Sequence, residues 1–345
     1  MLIISIEILL LLVIIGALIF TLTNGLHDAS SVVATFISCG AASPIKAVGM
    51  AAVFGLIGAL TSSSAVAETV SSIIDIPPET GLLKILLSAV IGAVIWNLAT
   101  WKFGFPSSST HALVGGLLGA VWISHGIMHI LWGWNELIGP NHHLIGVIKI
   151  FAALIISPLL GFIAAFILQT ISNIILRNAN FKINIWIKKI QWIIAALLAY
   201  SHGANDTQKI IGIMFLALSA AGYTSGHILQ EWIRGLAGGV MFLGTLLGGW
   251  SIMKTIGRGI YAIRPIHSLN SQLASGGSII LATLAGAPVS TTHVVVGSVA
   301  GVGAADEYRM VNWQIGKEII LAWVFTIPLS GIVAALVCYL LTVIF

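Results

Sequence analysis

Charged side chains are scarce in this sequence. They make up 8% of the 345 residues, whereas hydrophobic residues make up 58% and the mean hydropathy is +1.06. Because a water-soluble domain carries about 25% charged residues, this composition excludes a chain whose surface faces water throughout. We predict no nucleic-acid partner, since the net charge of +4 fits the basic cytoplasmic loops of a membrane protein.

Cysteine is scarce as well. The two cysteines, Cys39 and Cys338, lie far apart in the sequence and lack the spacing of metal ligands. We therefore predict no disulfide, no resident metal and no cofactor. The first apolar run has no basic residues before it and leads into polar residues 24–28, so we expect it to be a retained helix rather than a cleaved signal peptide.

Long apolar runs dominate what remains. The run from Ile8 to Leu22 has no charged residue. Similar runs cover residues 85–100, 150–170, 193–221 with one polar break, 236–250 and 319–345. A helix needs about 20 apolar residues to span the hydrocarbon core, so the chain has room for about 10 to 12 transmembrane segments. The sequence predicts an all-α polytopic protein of the inner or plasma membrane.

Two stretches of the chain resemble each other. Residues 105–120 read FPSSSTHALVGGLLGA and residues 287–302 read APVSTTHVVVGSVAGV, with 7 of 16 positions identical. Upstream, Asn24-Gly-Leu-His-Asp28 resembles His202-Gly-Ala-Asn-Asp206. The carboxylates precede the matching prolines, Pro106 and Pro288, by 78 and 82 residues. Because two motifs recur in the same order at similar spacing, the chain is predicted to contain a duplicated unit.

The duplication sets the predicted domains. They are a first transmembrane repeat over 1–170, a short basic cytoplasmic connector over 171–190 and a second transmembrane repeat over 191–345. The connector has four lysines or arginines and no acidic residue, which is typical of a cytoplasmic segment. Duplicated halves with interrupted helices are typical of secondary transporters, whose site lies between the repeats.

Hydroxyl side chains follow both matching prolines. They are Ser107, Ser108, Ser109 and Thr110 in the first copy and Ser290, Thr291 and Thr292 in the second. Proline is tolerated in the first turn of a helix, and serine and threonine cap helix N-termini. Because free N–H groups and the helix dipole favour negative charge there, we predict two broken or re-entrant helices whose N-termini bind one anion.

Carboxylates mark the other pair of motifs. An ionised carboxylate in a membrane helix is costly, so Asp28 and Asp206 are predicted to be functional. Oxygen-rich surroundings of this kind suit a coupling cation or a proton relay. The neighbouring polar side chains assigned to the same role are Asn24, His27, Asn205 and Gln272. Lys209 can contact the anion or pair with Asp206, and we assign it and Gln208 to the anion site.

These motifs resemble the signature of the PiT family of inorganic phosphate transporters. The resemblance extends over both halves, at Asn24–Asp28, at Gly203–Gly212 and at the two Pro-x-Ser-x-Thr-His segments. It implies symport of inorganic phosphate with a cation through a site between two inverted repeats. It also implies that Asp28 and Asp206 couple the cation and that the hydroxyl groups bind phosphate.

Within that family, the chain is most similar to the bacterial proton-coupled, low-affinity branch. The similar segments are Asn24–Asp28, Ile95–Leu98, Ser271-Gln272 and Ala322–Thr326. Sodium-coupled members tend to have Asn at the place of His27, and Glu at the places of Gly55 and Gln272. The branch also implies transport of phosphate as a neutral complex with a divalent metal. The short connector, and Ser31 where the family usually has Asn, are departures from the family pattern.

Several alternatives stay open at this point. Sodium could replace the proton, or the same scaffold could carry sulfate or another oxyanion. Monohydrogen phosphate can donate its O–H to Asp28 or Asp206, and sulfate cannot, which favours phosphate. A channel and an intramembrane hydrolase using Ser107 and His111 are weaker alternatives, because an enzyme needs one such set and both halves carry it. The sequence leaves a homodimer open.

Overall fold

The computed structural model describes residues 5–103, 107–140, 142–223, 231–248, 253 and 255–344. Within these ranges the chain is helical and has no β-strand. The helices are α1 (Ile6–Ser38), α2 (Pro44–Thr61), α3 (Ala65–Ser71), α4 (Thr80–Phe103), α5 (Ser109–His125), α6 (Trp134–Ile138), α7 (Gly146–Ile175), α8 (Ile183–Ala220), α9 (Glu231–Leu247), α10 (Pro265–Leu284), α11 (Thr291–Glu307) and α12 (Trp313–Ile344). A π-helical turn (Thr255–Gly259) precedes α10, and 3₁₀ turns lie at Ile127–His129 and Tyr308–Met310.

Six helices in the described part of the chain are long and apolar enough to cross a membrane. They are α1, α2, α4, α7, α8 and α12. At 1.5 Å per residue, the 38 residues of α8 extend about 57 Å. Four further helices of 17 to 20 residues, α5, α9, α10 and α11, pack among them. The prediction of an all-α polytopic membrane protein is confirmed.

Large apolar side chains cover the outside of the bundle. On α7 and α12, Ile155 is 62% exposed and Ile332 is 55% exposed, and many neighbours are similar. A water-soluble protein rarely exposes apolar patches of such extent. The polar residues lie inside instead, where Asp28, Asp206 and Lys209 are all buried. Apolar side chains outside and polar side chains inside fit a protein that is surrounded by lipid.

The two halves of the chain use the same helix pairs. Helix α4 packs on α5 as α10 packs on α11, and α1 packs on α9 as α8 packs on α2. The last helix of each half crosses to the other half, since α7 packs on α11 and α12 packs on α5. Glycines permit this close contact: a Cβ at Gly119 would collide with the backbone of Gly331, and one at Gly301 with the backbone of Phe162.

Two helices, α5 and α11, begin in the interior of the bundle. Ser108 and Ser290 are their N-caps, and each side chain accepts a hydrogen bond from the backbone N–H three residues later. The chain reaches α11 from α10 through a tight turn in which Gly286 has a φ of +64°. Pro288 lies in this connection, whereas Phe105 and Pro106, its counterparts before α5, fall outside the described residues.

The predicted connector is mostly helical. Helix α7 continues to Ile175 and α8 begins at Ile183, so residues 176–182 form the turn between them. The sequence did not show where these helices end, because Ile183–Ile190 mixes apolar residues with Lys188 and Lys189, as a helix at a membrane surface does. The boundaries of the two repeats and their inverted relation stay predictions.

Candidate functional site

The starts of α5 and α11 meet at the centre of the bundle. Thr110 Oγ1 donates a hydrogen bond to the carbonyl oxygen of Val289, 3.0 Å away. In the first turn of each helix, the rings of His111 and His293 lie against each other, tilted by 42°, with their centroids 4.6 Å apart. The first N–H groups of a helix have no intrahelical partner and carry partial positive charge. The two N-termini therefore direct their N–H groups and hydroxyls into one region, as the sequence predicted.

Asp28 accepts hydrogen bonds from both halves. Ser109 Oγ lies 2.8 Å from Asp28 Oδ2, and Thr292 Oγ1 lies 2.9 Å from Asp28 Oδ1. His27 Nδ1 lies 3.2 Å from the same Oδ1. The carboxylate of α1 is thus held between the starts of α5 and α11, so a change in its charge acts on both helix starts.

Asp206 is paired with a lysine. Lys209 Nζ lies 2.6 Å from Asp206 Oδ1, one turn along α8. The same ammonium group donates to Thr110 Oγ1 and to the carbonyl oxygen of Val289, each at 2.6 Å. Both interpretations of Lys209 therefore have a structural basis, because it neutralises Asp206 and reaches the hydroxyl of the first re-entrant helix.

A second histidine and an asparagine complete the surroundings of Asp206. His202 Nδ1 lies 3.3 Å from Asp206 Oδ2 and 3.1 Å from Thr291 Oγ1. Asn24 Nδ2, on α1, donates to Asp206 Oδ2 across the interface at 3.4 Å. Each carboxylate thus has one histidine, one hydroxyl of its own half and one contact from the other half.

The two aspartate motifs differ in one charged residue, Lys209. Aligning Asp28 with Asp206 places Ser31 opposite Lys209. Ser31 Oγ donates to the backbone oxygen of Asp28 at 2.7 Å and carries no charge. With both carboxylates ionised and the histidines neutral, the side chains of this cluster have a net charge of about −1, since one lysine faces two aspartates.

Asn205 holds the turn before α11. Its Oδ1 accepts from the N–H of Val289 at 3.1 Å, and its Nδ2 donates to the carbonyl oxygen of Ala287 at 3.1 Å. Nδ2 also donates to Thr283 Oγ1 at 2.9 Å. Both ends of this amide are used by the protein, so its visible role is to fix the position of the turn, and a role in cation coupling stays a prediction.

Three predicted site residues lie away from this cluster. Ser107 donates to Thr100 Oγ1, and Gln272 donates to Thr35 Oγ1. Gln208 Oε1 accepts from the N–H groups of Val66 and Ala67 at the start of α3. Gln208 points away because successive residues of a helix lie about 100° apart, so it cannot share the face of Lys209.

The remaining members of the cluster are fully enclosed. Asp206 is 1% exposed, Lys209 is 1% exposed and Thr291 is 0% exposed. Burying so many polar groups is unfavourable unless they are hydrogen-bonded, and here they bond chiefly to one another. The arrangement resembles an occluded state in which neither side of the membrane reaches the site.

Sequence reasoning did not assign four contributors to this cluster. They are the ring of His202, the carbonyl oxygen of Val289 and the paired rings of His111 and His293. The signal for the histidine pair was present, because both histidines occupy identical positions in the two matching segments. The sequence could not indicate the carbonyl group of Val289, because every residue has a backbone carbonyl group.

A polytopic helical bundle with an enclosed polar centre of this kind is typical of membrane transporters. The profile of the phosphate transporter family matches residues 24–334, and the chain therefore belongs to that family, the PiT phosphate transporters. It is a multi-pass plasma-membrane protein and a transporter rather than an enzyme.

Curated relatives have similar length. A Bacillus subtilis (strain 168) protein named "Probable low-affinity inorganic phosphate transporter" is 37% identical over 340 residues, which is 98% of each chain. A Rhizobium meliloti (strain 1021) protein of the same name is 36% identical, covering 94% of this chain and 93% of that one.

One solved structure has the same fold. It is titled "The sodium-dependent phosphate transporter", and it superimposes with a TM-score of 0.84 over 98% of this chain and 100% of its own. At 22% identity this similarity establishes the shared architecture.

Proposed function

We propose that this phosphate transporter is a proton-coupled symporter of inorganic phosphate, and that phosphate crosses as a neutral complex with a divalent metal. Asp28 and Asp206 are the coupling groups in this proposal, and the starts of α5 and α11 bind the anion. The observation that carries it is the charge of the central cluster, where two buried carboxylates face one buried ammonium group.

The charge of the cluster makes phosphate binding depend on protons. Monohydrogen phosphate brings two negative charges to a site that already has a net charge of about −1. Like charges within 4 to 6 Å repel each other strongly in a medium of low dielectric constant. A proton on Asp28 or on His27 removes one negative charge, so proton binding and phosphate binding each favour the other.

The ligands of Asp28 favour a proton over sodium. Both of its oxygens receive hydrogen-bond donors, namely His27 Nδ1, Ser109 Oγ and Thr292 Oγ1. An imidazole nitrogen can take up and release a proton, whereas a hard cation prefers a shell of oxygens. The residue at position 55 supports the same choice, because Gly55 supplies no carboxylate where sodium-coupled relatives tend to have one.

The anion site consists of helix starts and hydroxyl groups. Ser109, Thr291 and Thr292 bond to the two carboxylates. Thr110 bonds to Lys209. These neutral donors bind an anion less strongly than a bidentate arginine would, which suits a carrier that must release its ligand. The O–H of monohydrogen phosphate can donate to a carboxylate, so the same site discriminates against sulfate.

A divalent metal can neutralise the charge of phosphate itself, and a proton then neutralises the net negative charge of the cluster. A divalent cation bound to monohydrogen phosphate has no net charge, which lowers the cost of moving it into a low-dielectric interior. We expect phosphate uptake to fall when divalent metals are removed by a chelator and to recover when Mg²⁺ is returned. Phosphate-dependent uptake of a labelled divalent metal at a one-to-one ratio measures the complex directly, and phosphate uptake that ignores the chelator contradicts it.

Uptake of labelled phosphate into proteoliposomes tests the coupling ion. A pH gradient, acid outside, or a sodium gradient is imposed on wild type, Asp28→Asn and Asp75→Asn. We expect the pH gradient alone to drive uptake in wild type and in Asp75→Asn, whose side chain is exposed. We expect the pH-driven uptake rate of Asp28→Asn to be at least about tenfold lower than that of the wild type. This decrease corresponds to a loss of about 1.4 kcal/mol or more of coupling free energy.

Other outcomes separate the alternatives. Uptake that requires sodium contradicts proton coupling and leaves the phosphate transporter family intact. Gradient-driven sulfate uptake at the phosphate rate contradicts the role given to the O–H of phosphate. Unimpaired pH-driven uptake by Asp28→Asn removes Asp28 from the coupling step.

A further inference from the structure

A cavity outside the central cluster lies at the end of the bundle where α7 begins. We call it the outer vestibule; it has a volume of about 820 Å³ and is lined by α3, the start of α7, the end of α8 and the end of α10. Most of its wall is apolar. Its polar lining residues are Glu68, Thr69, Ser71, Ser72, Lys149 and Ser219.

Topology places this cavity on the external side of the membrane. The vestibule surrounds Gly146 and Lys149 at the start of α7. Helix α7 has 30 residues, so its other end lies about 45 Å away. That end leads into the turn 176–182, which contains Arg177 and Lys182. Because basic turns stay in the cytoplasm, the vestibule faces outward.

One hydrogen-bonded layer separates the vestibule from the central cluster. Thr69 Oγ1 donates to the carbonyl oxygen of Gly286 at 2.6 Å, in the turn that leads to Ser290. Gln208, next to Lys209 on α8, binds the first N–H groups of α3. A solute in the vestibule is therefore one layer outside the anion site.

Lys149 presents a cation inside this cavity. Its side chain is half-buried, and its ammonium group donates to Thr69 Oγ1 at 3.1 Å. An ammonium group has three donors. In the described part of the chain Lys149 forms no salt bridge. The Glu68 carboxylate acts on it electrostatically from a longer distance, and the remaining donors of Lys149 can serve an anion in the vestibule. The hydroxyls of Ser71 and Ser72 line the same cavity.

Glu68 gives the vestibule a second kind of ligand. Its side chain is exposed and lines the same cavity as Lys149. A carboxylate oxygen suits a hard divalent cation, whereas an ammonium group suits phosphate as a point charge. The pair therefore offers one ligand to each half of a neutral metal–phosphate complex, and adds no net charge.

We propose that the outer vestibule is a capture subsite for inorganic phosphate, with Lys149 as the anion ligand and Glu68 facing the accompanying cation. It deepens the proposed function, because it supplies the position from which phosphate moves inward to the central cluster. Phosphate held there is concentrated next to the layer formed by Thr69 and Gly286. Lys149 thereby sets how efficiently dilute phosphate is captured and leaves the maximal rate to the central site.

Uptake kinetics of Lys149→Gln and Lys84→Gln test this role. Lys84 is the matched control, because it is also half-buried, lies at the same end of the bundle and lines a separate cavity with Gly81 and His125. We expect kcat/KM for phosphate to fall about tenfold in Lys149→Gln, as for a lost hydrogen bond to a charged group, while kcat stays within about twofold. Raising the ionic strength should reduce kcat/KM in wild type more than in Lys149→Gln.

The variant Thr69→Val tests whether Lys149 acts by binding phosphate or by its hydrogen bond to Thr69. It removes the hydroxyl that holds Lys149 and keeps the ammonium group. We expect a smaller rise in KM than for Lys149→Gln. A loss of kcat in Lys149→Gln with KM unchanged, or equal effects of Lys149→Gln and Lys84→Gln, overturns the proposal. Each assay uses whichever gradient drives the wild type, so sodium coupling would overturn the coupling proposal and leave this test valid.

Cysteine labelling measures occupancy without transport. The native cysteines, Cys39 and Cys338, are buried and are replaced by alanine to give a clean background. Ser72→Cys places a thiol in the vestibule, and Thr342→Cys places one in the cavity beside Lys84. We expect millimolar phosphate to slow labelling of Ser72→Cys severalfold by an impermeant reagent, and not that of Thr342→Cys. Failure of phosphate to protect Ser72→Cys, or equal protection after Lys149→Gln is added, overturns the proposal.

Discussion

At the scale of single residues, the central cluster consists of carboxylates that accept hydrogen bonds from hydroxyl groups of both halves. Hydroxyls after a proline predicted donors at a helix start, and Ser109 and Thr292 are such donors. That both serve Asp28 could not be predicted, because it depends on how two distant segments face each other. Gln208 shows the same limit, since the motif placed it beside Lys209 and the helix turned it toward α3.

The buried pair of Asp206 and Lys209 gives a stability prediction. Lys209→Met leaves Asp206 with His202 and Asn24 and no full positive charge, and removing one partner of a buried pair costs about 3 to 5 kcal/mol. Lys209→Met combined with Asp206→Asn should recover most of this loss, since no buried charge is then left unpaired. Thermal unfolding in detergent measures both, with Lys46→Met as the control because Lys46 is exposed.

That prediction has a clear contrary outcome. If Lys209→Met unfolds at the temperature of Lys46→Met, the ion pair does not stabilise the fold. If the double variant is no more stable than Lys209→Met alone, the loss comes from the contacts of Lys209 with Thr110 and Val289 rather than from an unpaired carboxylate.

At the scale of helices, hydrophobicity predicted the fold class. The polar motif Asn24–Asp28 lies inside a continuous helix, since α1 extends over 33 residues. Polar side chains can stay inside a continuous membrane helix where they bond to polar groups of other helices. Here Asn24 bonds to Asp206, and Asp28 accepts hydrogen bonds from Ser109 and Thr292. The interruption predicted before Thr291 is present, because Gly286 turns the chain and Ser290 caps α11.

The glycines that join α7 to α11 give the second prediction. A Cβ at Gly301 would collide with the backbone oxygen of Phe162, and backbone cannot move aside as a flexible side chain can. We expect Gly301→Ala to lower stability by about 1 to 3 kcal/mol through overpacking. Gly277→Ala on α10 has open space around the new methyl group and should gain up to about 1 kcal/mol from helix propensity.

Unfolding midpoints of these two variants in detergent measure the difference. If Gly301→Ala is as stable as Gly277→Ala, the helices separate without cost and small residues are not required at this contact. If Gly301→Ala loses transport but keeps its stability, the small residue is needed for the movement of α11 rather than for its packing.

At the scale of the whole molecule, the internal duplication was visible because identical residues recur at matching spacing. The crossing of α7 and α12 to the opposite half could not be predicted, because the sequence of a helix does not specify which other helix it packs against. The orientation of the halves likewise depends on the number of crossings in each, and apolar runs alone do not count helices that end inside the membrane. The swapped helix pairs show that the two halves use equivalent contacts, and the inverted relation of the halves stays a prediction.

Side-specific labelling tests the inverted relation at equivalent positions. The alignment of the two motif segments places His125, the last residue of α5, opposite Glu307, the last residue of α11, and both side chains are exposed. Inverted repeats place these two ends on opposite sides of the membrane. Parallel repeats place them on the same side.

We expect an impermeant thiol reagent added outside intact cells to label His125→Cys, and to label Glu307→Cys only after the membrane is opened. The expectation follows from the external position of the start of α7, because Val147 N–H bonds to Leu131 in the segment that follows α5. Asn178→Cys, in the basic turn, serves as the cytoplasmic reference. Labelling of both variants from outside would mean that the halves are parallel, and the two helix starts would then have to reach one anion site from the same side.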